Sequence, residues 1–196
     1  MIKTIIFDFG GVLGSDADDF GKKFADYTGI TYVKLKKIYN LHVKQLNLGK
    51  KSLNTLFIDI CKNSKKDIDV NHLKKLYESN ISKNSELIRF AKRLNKKFDI
   101  MILSNESREG IEMKIRKFKL NGLFSKIYCS AILGMAKPDK KIFEYILNDL
   151  KINPKKIVFI DDRIENIESA RNLKINGLLY KNLNQFKKEL SLLIDF

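Results

Sequence analysis

The first place in this sequence where chemistry could be done is an aspartate that follows directly on an apolar run. Ile5, Ile6 and Phe7 leave no polar face, as in a parallel strand covered on both sides, and the run stops at Asp8. Gly10 and Gly11 come next. Neither carries a Cβ, so the backbone can turn sharply and approach whatever the carboxylate touches. The layout suits a nucleophile or a metal ligand, and equally a helix cap or an Asx turn. Partners downstream weigh on that choice. The apolar run 100–103 ends in Ser104 and Asn105, a strand near 127–129 is followed by Lys137-Pro138-Asp139, and the run 157–160 ends in the adjacent pair Asp161 and Asp162. Singly, Ser104 reads as a strand-end cap, Lys137 as a surface lysine, and the acid pair as a helix N-terminus complementing its dipole. Jointly, an acid, a hydroxyl, a lysine and two further acids stand at one rim.

That rim depends on the elements behind it. From residue 84 onward helix and strand alternate. A helix runs through Leu87, Ile88, Ala91 and Leu94, followed by a strand at 98–103, a helix at about 107–118 and a short strand at 127–129. Next come a helix carrying Ile142, Phe143, Ile146, Leu147 and Leu150, a strand at 157–160, a helix to about 173, a strand at 178–180 and a last helix. Strands separated by single helices predict an α/β fold, a Rossmann-like parallel sheet with right-handed crossovers and ligands at the strands' carboxyl ends. The stretch 15–83 differs. It lacks a strand signal, and Leu35, Ile38, Tyr39, Leu41 and His42, then Leu53, Leu56, Phe57 and Ile60, recur at helical spacing. Thr31, Ser52 and Asn71 stand where N-caps are expected, and Thr28-Gly29 and Leu48-Gly49 read as stops. The expected organisation is a core of residues 1–14 and 84–196, with a small helical cap of residues 15–83 inserted after the first strand.

The 196 residues suffice for one good core and a modest insertion, and 44% hydrophobic with 31% charged residues reads as a soluble chain. The apolar runs are too short to cross a bilayer, and the N-terminus opens on a strand, so a cytoplasmic protein is expected. Cys61 and Cys129 lack metal-ligand spacing and read as ordinary reduced thiols. A net charge of +15 raises nucleic acid as a partner. The excess is spread along the chain, however, and is mostly lysine, whereas phosphate-reading surfaces favour the arginine fork. A solvated basic surface that steers anionic substrates is the better reading, with neither nucleic acid nor membrane as partner. His42 and His72 read as helix residues without a chemical role.

Four segments together resemble the four motifs of the haloacid dehalogenase (HAD) superfamily. They are Phe7-Asp8-Phe9-Gly10-Gly11-Val12-Leu13, Leu103-Ser104-Asn105, Lys137-Pro138-Asp139 with Ile142-Phe143, and Phe159-Ile160-Asp161-Asp162-Arg163 with Asn166. Their order and spacing cover nearly the whole chain and are similar to the subfamily with a helical cap after motif one. The nearest branch is that of sugar-phosphate phosphatases and the phosphatase domain of epoxide hydrolases. The resemblance implies a Mg2+-dependent phosphatase of a small phosphorylated metabolite, working through an aspartyl-phosphate on Asp8. It implies a metal held by Asp8, the Gly10 carbonyl and Asp162, with Asp161 adjacent, and a phosphate bound by Ser104, Asn105, Lys137 and Gly11. Magnesium fits, because it takes hard oxygen ligands and offsets the repulsion between a carboxylate and a phosphate dianion.

One position departs from the family pattern. The residue two after the nucleophile is usually a second Asp, which protonates the leaving group; here it is Gly10. Such acid–base help is worth about 10²–10⁴ in rate, so slow turnover, good leaving groups, or a substitute among Asp16, Asp18 and Glu106 is expected. Two other readings stand beside the phosphatase. One is a dehalogenase of the same fold, disfavoured because that chemistry needs no metal and the acid pair brings surplus negative charge. The other is an inert relative acting as a binding or regulatory module.

Overall fold

Alternation along three neighbouring strands decides which side chain faces which layer. The computed structural model describes residues 1–15 and 18–195, with the backbone alone at 18–20. Its strands β1 (Thr4–Phe7), β2 (Asp99–Ser104), β3 (Lys126–Cys129), β4 (Ile157–Asp161) and β5 (Asn176–Leu179) form a five-stranded parallel sheet in the order β3-β2-β1-β4-β5. Ile5, Phe7, Ile100, Ile102, Val158 and Ile160 point to one face, and Ile6, Met101, Leu103, Ile157 and Phe159 to the other. This is the two-residue period of a strand, buried on both sides as β1 and β4 are throughout. The register pairs Phe7 with Ile102 and with Ile160, so Asp8 emerges at the level where the flanking strands also end.

Helices α1 (Asp18–Thr28), α2 (Tyr32–Asn47), α3 (Leu53–Asn63) and α4 (Val70–Asn80) lie between β1 and β2 and pack on one another in a ring, α4 returning to α1. Helix α5 (Ser85–Leu94) then leads into β2. Phe24, Leu35, Leu56, Phe57 and Leu73 belong to the same apolar cluster as Phe7, Phe9 and Ile102, so the insertion and one sheet face share a core. The other face is covered by α8 (Lys140–Leu150) and α9 (Ile164–Asn172) through Ile142, Phe143, Ile146, Ile167 and Ala170. The remaining helices are α6 (Arg108–Lys117), a single turn α7 (Ser130–Leu133) not foreseen from periodicity, and α10 (Leu183–Leu190).

Local signals behave as their chemistry dictates, with two differences. Thr31 accepts from the Lys34 N–H at 3.4 Å, Ser52 forms a capping box with Thr55, and Gly29 and Gly49 follow helix ends at φ +69° and +68°. Asn71 is not a cap. Asp69 precedes the first turn of α4 and accepts from the His72 N–H at 2.8 Å, a charged acceptor that also complements the helix dipole. Leu41, expected on the buried face of α2, is 73% exposed. Spacing alone set the stripe's edge one residue too wide, since α2 buries Leu35, Ile38, His42 and Leu46.

Candidate active site

Asp8 is the residue just beyond β1, and its N–H still donates to the Ile160 carbonyl at 2.8 Å, extending the ladder by one bond. That bond fixes the aspartate against the end of β4. Asp161 closes β4 and is fully buried. Between the two carboxylates sits Lys137, brought from the loop ahead of α8. Its Nζ donates to Asp8 Oδ1 at 2.7 Å, to Asp161 Oδ2 at 2.6 Å and to the Leu103 carbonyl at 3.0 Å. All three protons of the ammonium group are thereby used.

Carboxylate oxygens of Asp8, Asp161 and Asp162 lie within 4.8 Å of one another. Asp161 is already engaged on both sides. Its Oδ1 accepts from the Arg163 N–H and the Asn166 amide, each at 2.9 Å, while Oδ2 takes Lys137. Asp162 is half-buried, and its carboxylate fills the space over Gly11. A Cβ at Gly11 would stand 2.2 Å from Asp162 Oδ2, and φ there is +71°, so only glycine fits on both counts. Gly11 has no donor to spare, because its N–H donates to the Gly14 carbonyl at 2.9 Å. It gives Asp162 room; its N–H is not offered to an anion.

Two buried carboxylates share one ammonium here. Burial drives the Asp8 carboxyl up to about 7, more than the adjacent Lys137 charge lowers it, and Asp161 adds to the rise. Burial works against charge on Lys137 as well, yet attraction to Asp8 and Asp161 together keeps its ammonium above the ordinary lysine value. Three carboxylates clustered in this way suit a divalent cation with oxygen ligands, and Asp161 is the one already engaged through both of its oxygens.

The other expected residues fall around this centre. Ser104 ends β2, is buried and lines the same cavity as Asp8, Gly10 and Lys137. Asn105 lines the cavity and is tied to the lysine loop: its Oδ1 accepts from the Lys137 N–H at 2.9 Å and its Nδ2 donates to the Lys137 carbonyl at 2.8 Å. This two-bond ring ties the lysine loop to the end of β2. Glu106 lines the cavity but pairs with Lys114 and accepts at 2.9 Å from the N–H of Ser107, the N-cap of α6. It is therefore a poor stand-in for the acid missing at Gly10. Asp16 and the Asp18 side chain lie outside the described residues. Asn166, which the sequence marks only as the end of the fourth motif and without a task, stands in the first turn of α9 five residues after Asp161 and holds that carboxylate. His42 is buried with Nε2 2.7 Å from Asp59, and His72 is a surface residue against Asp69. Cys61 and Cys129 are both free thiols, and among the described residues no helix is long and apolar enough to cross a membrane.

Comparison with known proteins agrees with this geometry. A family model described as haloacid dehalogenase-like hydrolase matches residues 2–174. The D-ribitol-5-phosphate phosphatase of Bacteroides thetaiotaomicron is 23% identical over the whole of both chains. The drimenol cyclase drtB of Aspergillus calidoustus is 34% identical over 89 residues, which is 45% of this chain and 17% of that protein. Among solved structures, the HAD family enzyme bt-2542 of B. thetaiotaomicron in its magnesium complex is similar with a TM-score of 0.76 and 26% identity, over 92% of this chain and 93% of that one.

Proposed function

This chain belongs to the haloacid dehalogenase-like hydrolase family, and from that premise we propose that it is a magnesium-dependent phosphomonoester hydrolase acting on a small phosphorylated metabolite. The observation that carries the reading is the bridge of Lys137 between Asp8 and Asp161, at 2.7 and 2.6 Å, with the Asp162 carboxylate alongside. In this reading Asp8, the Gly10 carbonyl and Asp162 hold magnesium, which when bound supplies positive charge to a phosphate dianion next to a carboxylate. Residues 1–14 and 84–196 form the catalytic core and residues 15–83 its cap.

Each remaining side chain has a task that follows from its position. Asp8 attacks phosphorus, the bond from phosphorus to the alcohol oxygen breaks, and the departing oxygen takes its proton from water because Gly10 has no side chain to give one. Water then attacks the aspartyl-phosphate, releasing inorganic phosphate and restoring the Asp8 carboxylate. Lys137 stays charged throughout and keeps Asp8 aimed, while Ser104 donates to a phosphoryl oxygen. Asp161 orients Lys137 and is itself held by Arg163 and Asn166. The ribitol-phosphate relative and the magnesium complex of bt-2542 support the class of reaction and of metal. A metal-free dehalogenase is disfavoured by the third carboxylate, which adds negative charge that a divalent cation would offset.

Hydrolysis of an activated aryl phosphate tests this. Activity should require Mg2+ and fall by at least about 10⁴-fold in Asp8→Asn, as for loss of a nucleophile. Turnover that survives in Asp8→Asn, or is indifferent to Mg2+ and chelator, would refute it.

A further inference from the structure

The cavity above Asp8 does not end at the polar floor. It extends into the α1–α4 insertion as a chamber of about 310 Å³, at the lower end of what drug-sized ligands occupy. Its apolar lining from the insertion includes Phe24 of α1, Leu35 and Val43 of α2, and Leu56, Phe57 and Ile60 of α3. On α3 these residues follow the spacing i, i+1, i+4 and share one helix face, which lines the chamber while Phe57 also packs against the Phe24 and Tyr77 rings. Lys36 and Asn40 also line it and are exposed, and Tyr32, Tyr39, Asn47 and Tyr77 complete the lining from the insertion. Among the described residues of the insertion, none that lines the chamber is acidic. Glu106, the acid nearest the floor's edge, is already paired with Lys114.

Against the apolar part of the wall, from Phe24 and Leu35 to Ile60, a sugar half would fit badly. Each hydroxyl buried there without a partner weakens binding, and a polyol brings several. Resting on the phosphatase reading above, we propose that the alcohol half of the substrate is apolar: the ester hydrolysed is an aryl or alkyl phosphate in place of a phosphorylated sugar. Gly10 agrees independently. Without a proton donor two residues after the nucleophile, an alcohol that leaves readily as its own anion is the easier substrate, and aryl alcohols do so better than sugar hydroxyls.

A series of para-alkylphenyl phosphates, from methyl to butyl, separates the two arguments, because leaving-group acidity is nearly constant along it while apolar area grows. We expect kcat/KM to rise about three- to fourfold per methylene until the chamber is full, and a terminal hydroxyl on the alkyl chain to cancel the gain. Val43→Asn and Leu53→Asn, both half-buried lining positions on different helices, should each flatten the series, so that one misfolded variant does not stop the test. Calorimetry with the matching phosphonates, which are not hydrolysed, reads affinity without turnover. Turnover with a flat series, or a preference for the hydroxylated analogues, overturns the apolar substrate and leaves the phosphatase standing. Phosphonate affinity that climbs with chain length while no ester is hydrolysed upholds the apolar ligand and overturns the phosphatase.

Discussion

The floor of the cavity and its roof are built on opposite principles. At the floor, directional bonds fix the groups that matter: Lys137 makes three, Asp161 accepts three, and Asn105 clasps the Lys137 backbone at both ends. In the roof, α2 and α3 hold a space open with side chains such as Leu35, Leu56 and Ile60 that make no directional bond at all. The difference teaches where geometry must be exact and where volume suffices. A transferred phosphoryl group needs charges within tenths of an ångström, whereas an apolar surface needs only to be kept from water. Substitutions at the floor should therefore act on rate and charge balance, and those in the roof on selectivity and packing.

The sharpest way to break the contrast is to remove the cation that holds the floor together. Lys137→Met keeps the stem's bulk and deletes the ammonium, leaving Asp8 and Asp161 buried and facing each other. Loss of one partner from a buried pair costs about 3–5 kcal/mol, and turnover should fall at least 10³-fold, an effect of the order of removing an oxyanion donor or more. Urea unfolding beside an aryl phosphate assay would measure both. A stable, active variant would mean that the floor does not rest on this bridge.

Gly11→Ala sets a clash against a control. Its new methyl would stand 2.2 Å from Asp162 Oδ2, whereas one at Gly122, with φ +74°, meets nothing within 4 Å. Both variants bear the strain of a left-handed residue, roughly 1–2 kcal/mol, and only the first displaces a carboxylate of the floor. Gly11→Ala should raise the Mg2+ concentration for half-maximal activity by tenfold or more, and Gly122→Ala should leave it within twofold. Equal midpoints in the two variants would show that Asp162 does not serve the metal.

The floor should also betray itself in the pH dependence of stability without metal. Burial raises the Asp8 carboxyl from an ordinary 3.8 to about 7 in the folded protein. Between those two values the unfolded chain has released the proton and the native chain retains it, so stability falls as pH rises from about 4 to about 7. A chain of this size loses roughly 2–4 °C in Tm per kcal/mol, so thermal melts in chelator should drop by several degrees across that window. Saturating Mg2+ should restore the loss at neutral pH by binding the native state alone, and Asp8→Asn should flatten the slope. A melt that is flat between pH 4 and 7 in the wild-type protein would place Asp8 in a more solvated setting than its contacts imply.

Much of the floor is legible in sequence, and the reason is physical. A polar residue placed at the end of a fully apolar strand has one place to go, the sheet's rim, so Asp8, Ser104 and Asp161 announce themselves. The sheet's register then brings them together without further instruction. Asn105 illustrates what is hidden, since its grip on Lys137 depends on a loop arriving from 32 residues away. The chamber is hidden for a different reason. Leu53, Leu56, Phe57 and Ile60 have the periodicity of a buried helix face whether that face meets another helix or encloses a space. Asn71 yields the cap of α4 to Asp69 because two neighbouring acceptors compete for one helix start and only one carries charge.

The roof should yield the smallest effect, and His42 is the place to look for it. The ring is buried between α2 and α3 with Nε2 2.7 Å from Asp59, while its Nδ1 is buried with no partner among the described residues. That hydrogen bond holds the Asp59 carboxyl below its usual range, which favours the folded state above the unfolded pKa near 4 and is lost as pH falls through the lower folded value. The Asp59 side chain is 43% exposed, however, so solvent screens much of the attraction. Replacing His42 with Leu removes this bond and also removes a buried polar atom left unsatisfied, and the two terms oppose each other. His42→Leu should therefore change stability by no more than about 1 kcal/mol at neutral pH, with Mg2+ dependence unaltered. Urea midpoints of the two proteins decide it: a loss of several kcal/mol would mean that the insertion, like the floor, is held by directional bonds, and the contrast between the two regions would fail.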